Sequence, residues 1–414
     1  MAKLTFIIVF IALILNLETH PVLYEWRGEN RCGIYNEEGL LTEWPESGPE
    51  EIWVVDGMGN GYGSPAVTEN EIFISGEIDS IAWLFCLNHE GKILWKSAFG
   101  KEWVRSYPGS RSAPTIIDDF IYIGSGLGNL YCLKRENGEV VWAKDFNTDF
   151  EGQYPLHGHS DAAVISGEKV FWVPGGKLHN VVALNRFTGG LAWSCKGYGE
   201  RSAYTPSKLV KLPSREVFVT FSAYNLMGID AGTGQLLWTH IQDNLPIEKH
   251  GLGYGDTHSN TPLYEDGAIY YSAGDGNCGV KLLLSEDGSQ IKEAWRNKEF
   301  DGFMGGIVKI GDYIYGTGTV KKELLSVNAT TGELAGSLKI GSGAVIAAGP
   351  MLYYYNQRGE LYLIETDNGQ MKEVSSFRVR KGSREHFSHP VIRNGILYQR
   401  HGDVLMAFDI REKN

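Results

Sequence analysis

The chain has 414 residues, 52 of them glycine, and is 43% hydrophobic, which is enough apolar side chain for a large core and too much for a disordered composition. Its formal net charge is −12 and no lysine or arginine block runs along it, which argues against nucleic acid as a partner. Five scattered cysteines, Cys32, Cys86, Cys132, Cys195 and Cys278, never form a C-x-x-C pair, which argues against a zinc site and a disulfide framework.

The first twenty residues, MAKLTFIIVFIALILNLETH, hold a lysine followed by the apolar run Phe6 to Leu15. That run has the length of a signal-peptide core and is short for a membrane span. It predicts an exported protein, periplasmic or extracellular. No A-x-A-like site follows Leu15, so an uncleaved N-terminal anchor is the other reading and the only route to a membrane. Residues 21–49 read as a lead-in segment.

From residue 50 onward the chain repeats itself. EEIWVV (50–55) has the look of a strand standing alone. One full unit follows later: SAPTII, DDFIYIGSG, LGNLYCLKR and NGEVVWAKD, four short strands rich in Ile, Val and Tyr with Asp, Asn and Gly at the turns. The end of that unit recurs as CLNHEGKILW (86–95), CLKRENGEVVW (132–142), ALNRFTGGLAW (183–193), GIDAGTGQLLW (228–238) and SVNATTGELAG (326–336). Trp95, Trp142, Trp193, Trp238 and Trp295 span 200 residues in four intervals, a mean period of 50. A period of that size built from short strands and glycine turns predicts an all-β propeller of four-stranded antiparallel blades. In the repeated turn an Asx or Glu side chain caps the third strand, and a glycine such as Gly138 takes a positive φ.

First-strand signals begin at SPAV (64), SAPT (112), SDAA (160), TPSK (205), TPLY (261), GGIV (305), GAVI (343) and SHPV (388), which predicts eight blades. The last blade stops after VLMAFDI (404–410) without a fourth strand. The strand at 50–55 is expected to complete it and close the ring, so that a single domain covers 50–410 with a short tail at 411–414. Trp53 then joins the other five tryptophans as a packing group between blades, each ring removing up to ~150–250 Å² from water.

The stretch A-x-N-x-x-T-G-x-x-x-W at Ala183 to Trp193, with its near copy at Gly228 to Trp238, resembles the tryptophan-docking motif of quinoprotein dehydrogenases. The chain as a whole resembles the PQQ-like eight-bladed propeller superfamily, which holds both quinone enzymes and non-catalytic members such as the BamB-type assembly lipoproteins. The lead-in and the C-terminal HPVIRNGILYQRHGDVLMAFDI (389–410) are similar to exported bacterial members of that superfamily. Two functions are implied. One is a non-catalytic binding or scaffold protein; the other is a dehydrogenase that uses PQQ and calcium at a divergent site. The sequence departs from the alcohol-oxidising enzymes in having no adjacent cysteine pair, and from the lipoproteins in having no cysteine at the end of the apolar run for lipid attachment.

In a propeller the segments entering each first strand converge on one mouth of the central channel. Those segments carry Arg105 and Arg111, then His157, His159 and Asp161, then Arg201, then Asp256, His258 and Asn260, and lastly Arg384, His386 and His389. They predict a polar mouth that takes a small polar or anionic ligand, or a segment of a partner protein. On the dehydrogenase reading, Asp161 or Asp256 would be the base and Arg111 or Arg201 would neutralise the quinone carboxylates. The H-G-H spacing of His157 and His159 lacks a ligand signature, so no metal is assigned to these histidines. At a solvated mouth, replacing His159 and His258 by alanine should change stability little.

Overall fold

A computed structural model describes residues 22–204, 206–241, 258–274 and 278–413. The apolar run near the N-terminus therefore lies outside the described residues. Among those described, no helix is long and apolar enough to cross a membrane.

Eight separate sheets form the eight blades of a propeller. Their innermost strands are Ala66–Val67, Thr115–Ile117, Val164–Ser166, Lys208–Lys211, Leu263–Glu265, Ile307–Ile310, Gly343–Ala348 and Val391–Arg393. Each begins at or just after its predicted start. The ring closes as expected: the N-terminal strand Glu50–Val55 lies antiparallel to the last strand, Val404–Asp409, with Glu50 opposite Asp409 and Val55 opposite Leu405.

The repeated turn explains both of its constant features. Asn185 Oδ1 accepts from the backbone of Phe187 and Thr188 and from the Thr188 hydroxyl, and Asp230 does the same for Gly232 and Thr233. This side chain satisfies the amides that the bulged hairpin leaves unpaired. The glycine that follows is required twice over. Gly189 has φ 70°, and a Cβ there would sit 2.9 Å from the Trp142 ring of the preceding blade. Gly138 under Trp95, Gly234 under Trp193, Gly332 under Trp295 and Gly91 under Trp53 repeat the arrangement. The indole nitrogens of Trp142, Trp193, Trp238, Trp295 and Trp53 donate to Arg186, Ala231, Gly288, Ala329 and His89 carbonyls of the next blade at 2.8 to 3.1 Å.

The segment before the ring is ordered inside the channel, which the sequence did not foretell. Its short strand β1 (Leu23–Tyr24) adds to the inner edge of blade two, and β2 (Ile34–Tyr35) adds in parallel to the inner edge of blade seven. Between them Arg27 donates to Val345 O at 2.9 Å and Ile307 O at 2.7 Å. Arg31 donates to the Ala162 and Ser207 carbonyls at 3.0 and 3.2 Å, and to Ala163 O, while its Nε pairs with Glu25 at 2.6 Å. Inner-strand carbonyls crowd the axis of a propeller, and two buried guanidiniums with their fixed forks of donors satisfy them across several blades at once.

Candidate functional site

A cavity of about 350 Å³ lies where the lead-ins converge. Its lining comes from the segments that enter blades one to six and eight, and from Trp26 of the inserted N-terminal segment. The rings form a continuous arc. Tyr62 lies 5.5 Å from Phe387, Phe387 5.9 Å from Tyr107, Tyr107 5.2 Å from His157, and His157 6.4 Å from Tyr204. Phe303 and Met304 face them from the entry to blade six. Trp26 packs edge-on against His389 at 5.0 Å and bounds the cavity on the channel side. The wall is thus chiefly aromatic, where a polar mouth was expected.

Of the polar residues singled out in the sequence, Arg111, His157 and His389 line this cavity. Arg111 is held by the carbonyls of Gly109, Ser106 and Tyr107 at 3.1, 2.8 and 2.6 Å, and its guanidinium carbon lies 6.0 Å from the Tyr62 ring centre. The His157 Nδ1 meets the Ser106 hydroxyl at 3.1 Å, and its backbone amide donates to the Tyr204 hydroxyl at 2.7 Å. His389 Nδ1 accepts from Arg27 at 2.9 Å, because a guanidinium can only donate. Burial first, then that cation, hold His389 well below the usual imidazole range.

The remaining candidates stand elsewhere. His159 and His258 are buried, and each bonds a backbone carbonyl, Val173 O at 3.1 Å and Ala223 O at 3.0 Å. Their rings lie on Trp172 at 4.6 Å and Phe221 at 4.5 Å, and burial pulls His159 down to about 4. The expectation that both sit at a solvated mouth is therefore corrected: they belong to the packing between strands. Asp161 accepts from the amide and hydroxyl of Ser207 in the next blade, both at 3.2 Å, and burial pushes it up to about 7. Asn260 likewise clasps blade six through Gly306 N at 2.7 Å. Arg105 lies exposed over Trp103, Arg201 donates to Tyr224 at 3.1 Å, and exposed Arg384 donates to Asn60 at 3.1 Å. His386 stacks on His401 with centres 3.8 Å apart and shares a hydrogen bond with Tyr355. Asp256 lies outside the described residues.

Sequence reasoning missed the aromatic members of the wall, although all but Trp26 sit in a blade lead-in. Tyr107 stands in VRSYPGSRSAP, Tyr204 in GERSAYTP and Phe387 in SREHFSHP. An aromatic ring recurring beside the strand entries was the available signal, and titratable residues drew the eye away from it.

A quinone held by calcium does not fit this lining. Among the described lining residues there is no carboxylate to coordinate the ion, and Arg111 is the one arginine for three quinone carboxylates. Among the described residues no three His, Cys, Asp or Glu side chains are grouped to hold a metal.

Fold and site define an eight-bladed propeller with a ligand-sized aromatic cavity at one channel mouth. The family model described as outer membrane protein assembly factor BamB matches residues 82–338, and the chain belongs to that family. It is 22% identical over 308 residues to the outer membrane protein assembly factor BamB of Shewanella oneidensis, an alignment covering 71% of this chain and 69% of that protein. The structure is similar to BamB from Moraxella catarrhalis, with a TM-score of 0.64 at 16% identity over 87% of this chain and 99% of that one. A europium-containing methanol dehydrogenase has the same fold, with a TM-score of 0.62 at 10% identity over 92% and 90% of the two chains.

Proposed function

We propose that this protein is an exported, non-catalytic binding scaffold that works through the aromatic cavity at its channel mouth. The observation that carries this reading is the continuous arc of rings from Tyr62 to Tyr204, supplied by five different lead-ins. Apolar rings left facing water at a concave site favour an occupant that covers them. The titratable groups that face that space are each held by the protein itself, His157 by Ser106, His389 by Arg27 and Arg111 by three carbonyls, while Asp161, His159 and His258 are engaged in the scaffold. Membership of the assembly-factor family supports a partner in the cell envelope.

Calorimetric titration of the purified protein tests this, against organic acids, wall sugars and peptides from outer-membrane barrel proteins. A saturable ligand is expected, and Tyr107→Ala with Phe387→Ala should weaken its binding at least about ten-fold. Turnover of an alcohol or sugar with added quinone and calcium would overturn the non-catalytic reading. Binding untouched by the cavity substitutions would overturn the site.

A further inference from the structure

We infer that the mouth cavity receives a small ligand with a flat apolar body and one anionic group, the anion meeting Arg111 and the body lying along the arc of Tyr62, Phe387, Tyr107 and Tyr204. This rests on the binding reading above and narrows it to a chemical class.

Arg111 is the anchor because of how its charge is placed. All of its hydrogen bonds go to backbone carbonyls, of Ser106, Tyr107 and Gly109, and no carboxylate among the described residues lies within ion-pair distance of it. The carbonyls fix the plane of the guanidinium without neutralising it. The two acidic groups near this wall are already engaged. Glu102 Oε1 accepts from Trp103 N at 2.7 Å and from Gly126 N, while its Oε2 accepts from Ser110 at 2.8 Å. Burial pushes that carboxyl up to about 7; its charge still attracts Arg111, but the two groups are not within ion-pair distance. Glu385 accepts the Tyr62 hydroxyl at 2.6 Å. An oriented, partly desolvated guanidinium beside aromatic faces favours an anion, and each contact there is stronger than in water. The size of the cavity sets the scale of the body, at the lower end of ordinary small-molecule sites. A single arginine matches a single anionic group.

Two fluorescent probes of nearly one shape separate charge from apolar contact: 8-anilinonaphthalene-1-sulfonate, and its uncharged analogue N-phenyl-1-naphthylamine. The sulfonate should bind one to one and tighter than the amine by about ten-fold or more. Arg111→Gln should bring the two affinities together while leaving the amine unchanged, and Arg111→Lys should keep part of the difference. Phe387→Ala should weaken both. Equal affinities in the unaltered protein, or a difference that survives Arg111→Gln, would overturn the anionic class and leave the binding scaffold standing. Saturable binding of neither probe would overturn both. If Arg111→Gln fails to fold, the ratio in the unaltered protein and in Arg111→Lys decides the question.

Discussion

Removing the strand that closes the ring should do damage far beyond its six residues. Consider two truncations, one lacking residues 1–49 and one lacking 1–56. Both lose the inserted segment with Arg27 and Arg31, so their difference isolates Glu50–Val55, termed β3. That strand pairs along Val404–Asp409, and Trp53 packs at 6.0 Å from Tyr398 while donating to His89 O of blade one at 2.8 Å. Trp53 is only partly buried, so its loss falls toward or below the low end of the ~3–5 kcal/mol typical of a core tryptophan. The ladder adds hydrogen bonds of about 1 kcal/mol each. Together these reach about 5 kcal/mol or more, against the roughly 5–15 kcal/mol that holds a typical domain. Leu405 and Ala407, buried now, would line a free sheet edge. Urea unfolding followed by tryptophan fluorescence, with size-exclusion chromatography, should find the shorter chain aggregated or unfolding at much lower denaturant. In the full chain, Trp53→Ala should cost about 2–3 kcal/mol. Equal midpoints for the two truncations, or a neutral Trp53→Ala, would refute the closure as a source of stability.

Gly189→Ala should destabilise by about 1–3 kcal/mol in the same assay, since φ 70° and the Trp142 ring both oppose a Cβ. His159→Ala combined with His258→Ala should lower stability by several kcal/mol, about 1–3 for each, because buried rings are removed and two carbonyls lose donors; unchanged unfolding would return these residues to the mouth. Glu102 has a folded-state value raised to about 7 from 4.5, so the folded protein holds its proton more tightly than the unfolded chain. Its contribution therefore falls as pH rises from about 4.5 to about 7, by at most about 3 kcal/mol, and is constant above. Subtracting the stability of Glu102→Gln from that of the unaltered protein across this window should show that decline, and a flat difference would contradict it. His159 runs the other way: its value is lowered to about 4 from 6.5, so its contribution is present above about 6.5 and fades as pH falls toward 4. The variant His159→Gln should accordingly lose the acid-side slope.

The blades were legible because their signals are local. A tryptophan, an Asn or Asp and a glycine recur at a fixed spacing since each docks on the next turn, and the missing fourth strand of the last blade announced its partner at 50–55. The segment before it was illegible for the opposite reason. Arg27 and Arg31 are charged residues in a polar stretch, and nothing within thirty residues of them says that their partners are carbonyls at Ala162, Ser207, Ile307 and Val345. The mouth was read half way. Pooling the lead-ins gathered Arg111, His157 and His389 at the cavity, yet the same polar set also took in Asp161, Asn260 and His258, whose polar atoms clasp neighbouring strands.

That division of labour follows from where strand entries stand in a propeller. Inner strands approach one another most closely at the channel, so their entry segments must satisfy backbone groups that no ladder reaches. Short polar side chains do this across blades: Ser64 donates to His389 O at 2.9 Å, Ser112 to Asp161 O at 2.8 Å, and Thr115 to Ala163 O at 2.8 Å. Just earlier in the chain, Tyr62, Tyr107 and Phe387 line the cavity instead. The lead-ins to blades one, two and three thus carry two functions in sequence order, first the wall (Tyr62, Tyr107, His157) and then the clasp (Ser64, Ser112, Asp161). Substitutions at Tyr62, Tyr107 or Phe387 should alter binding with little effect on unfolding, whereas substitutions at Ser112, Asp161 or Asn260 should destabilise the ring. Parallel urea unfolding and probe titration on one variant of each kind would separate the two, and a clasp variant that binds weakly while unfolding normally would break the argument.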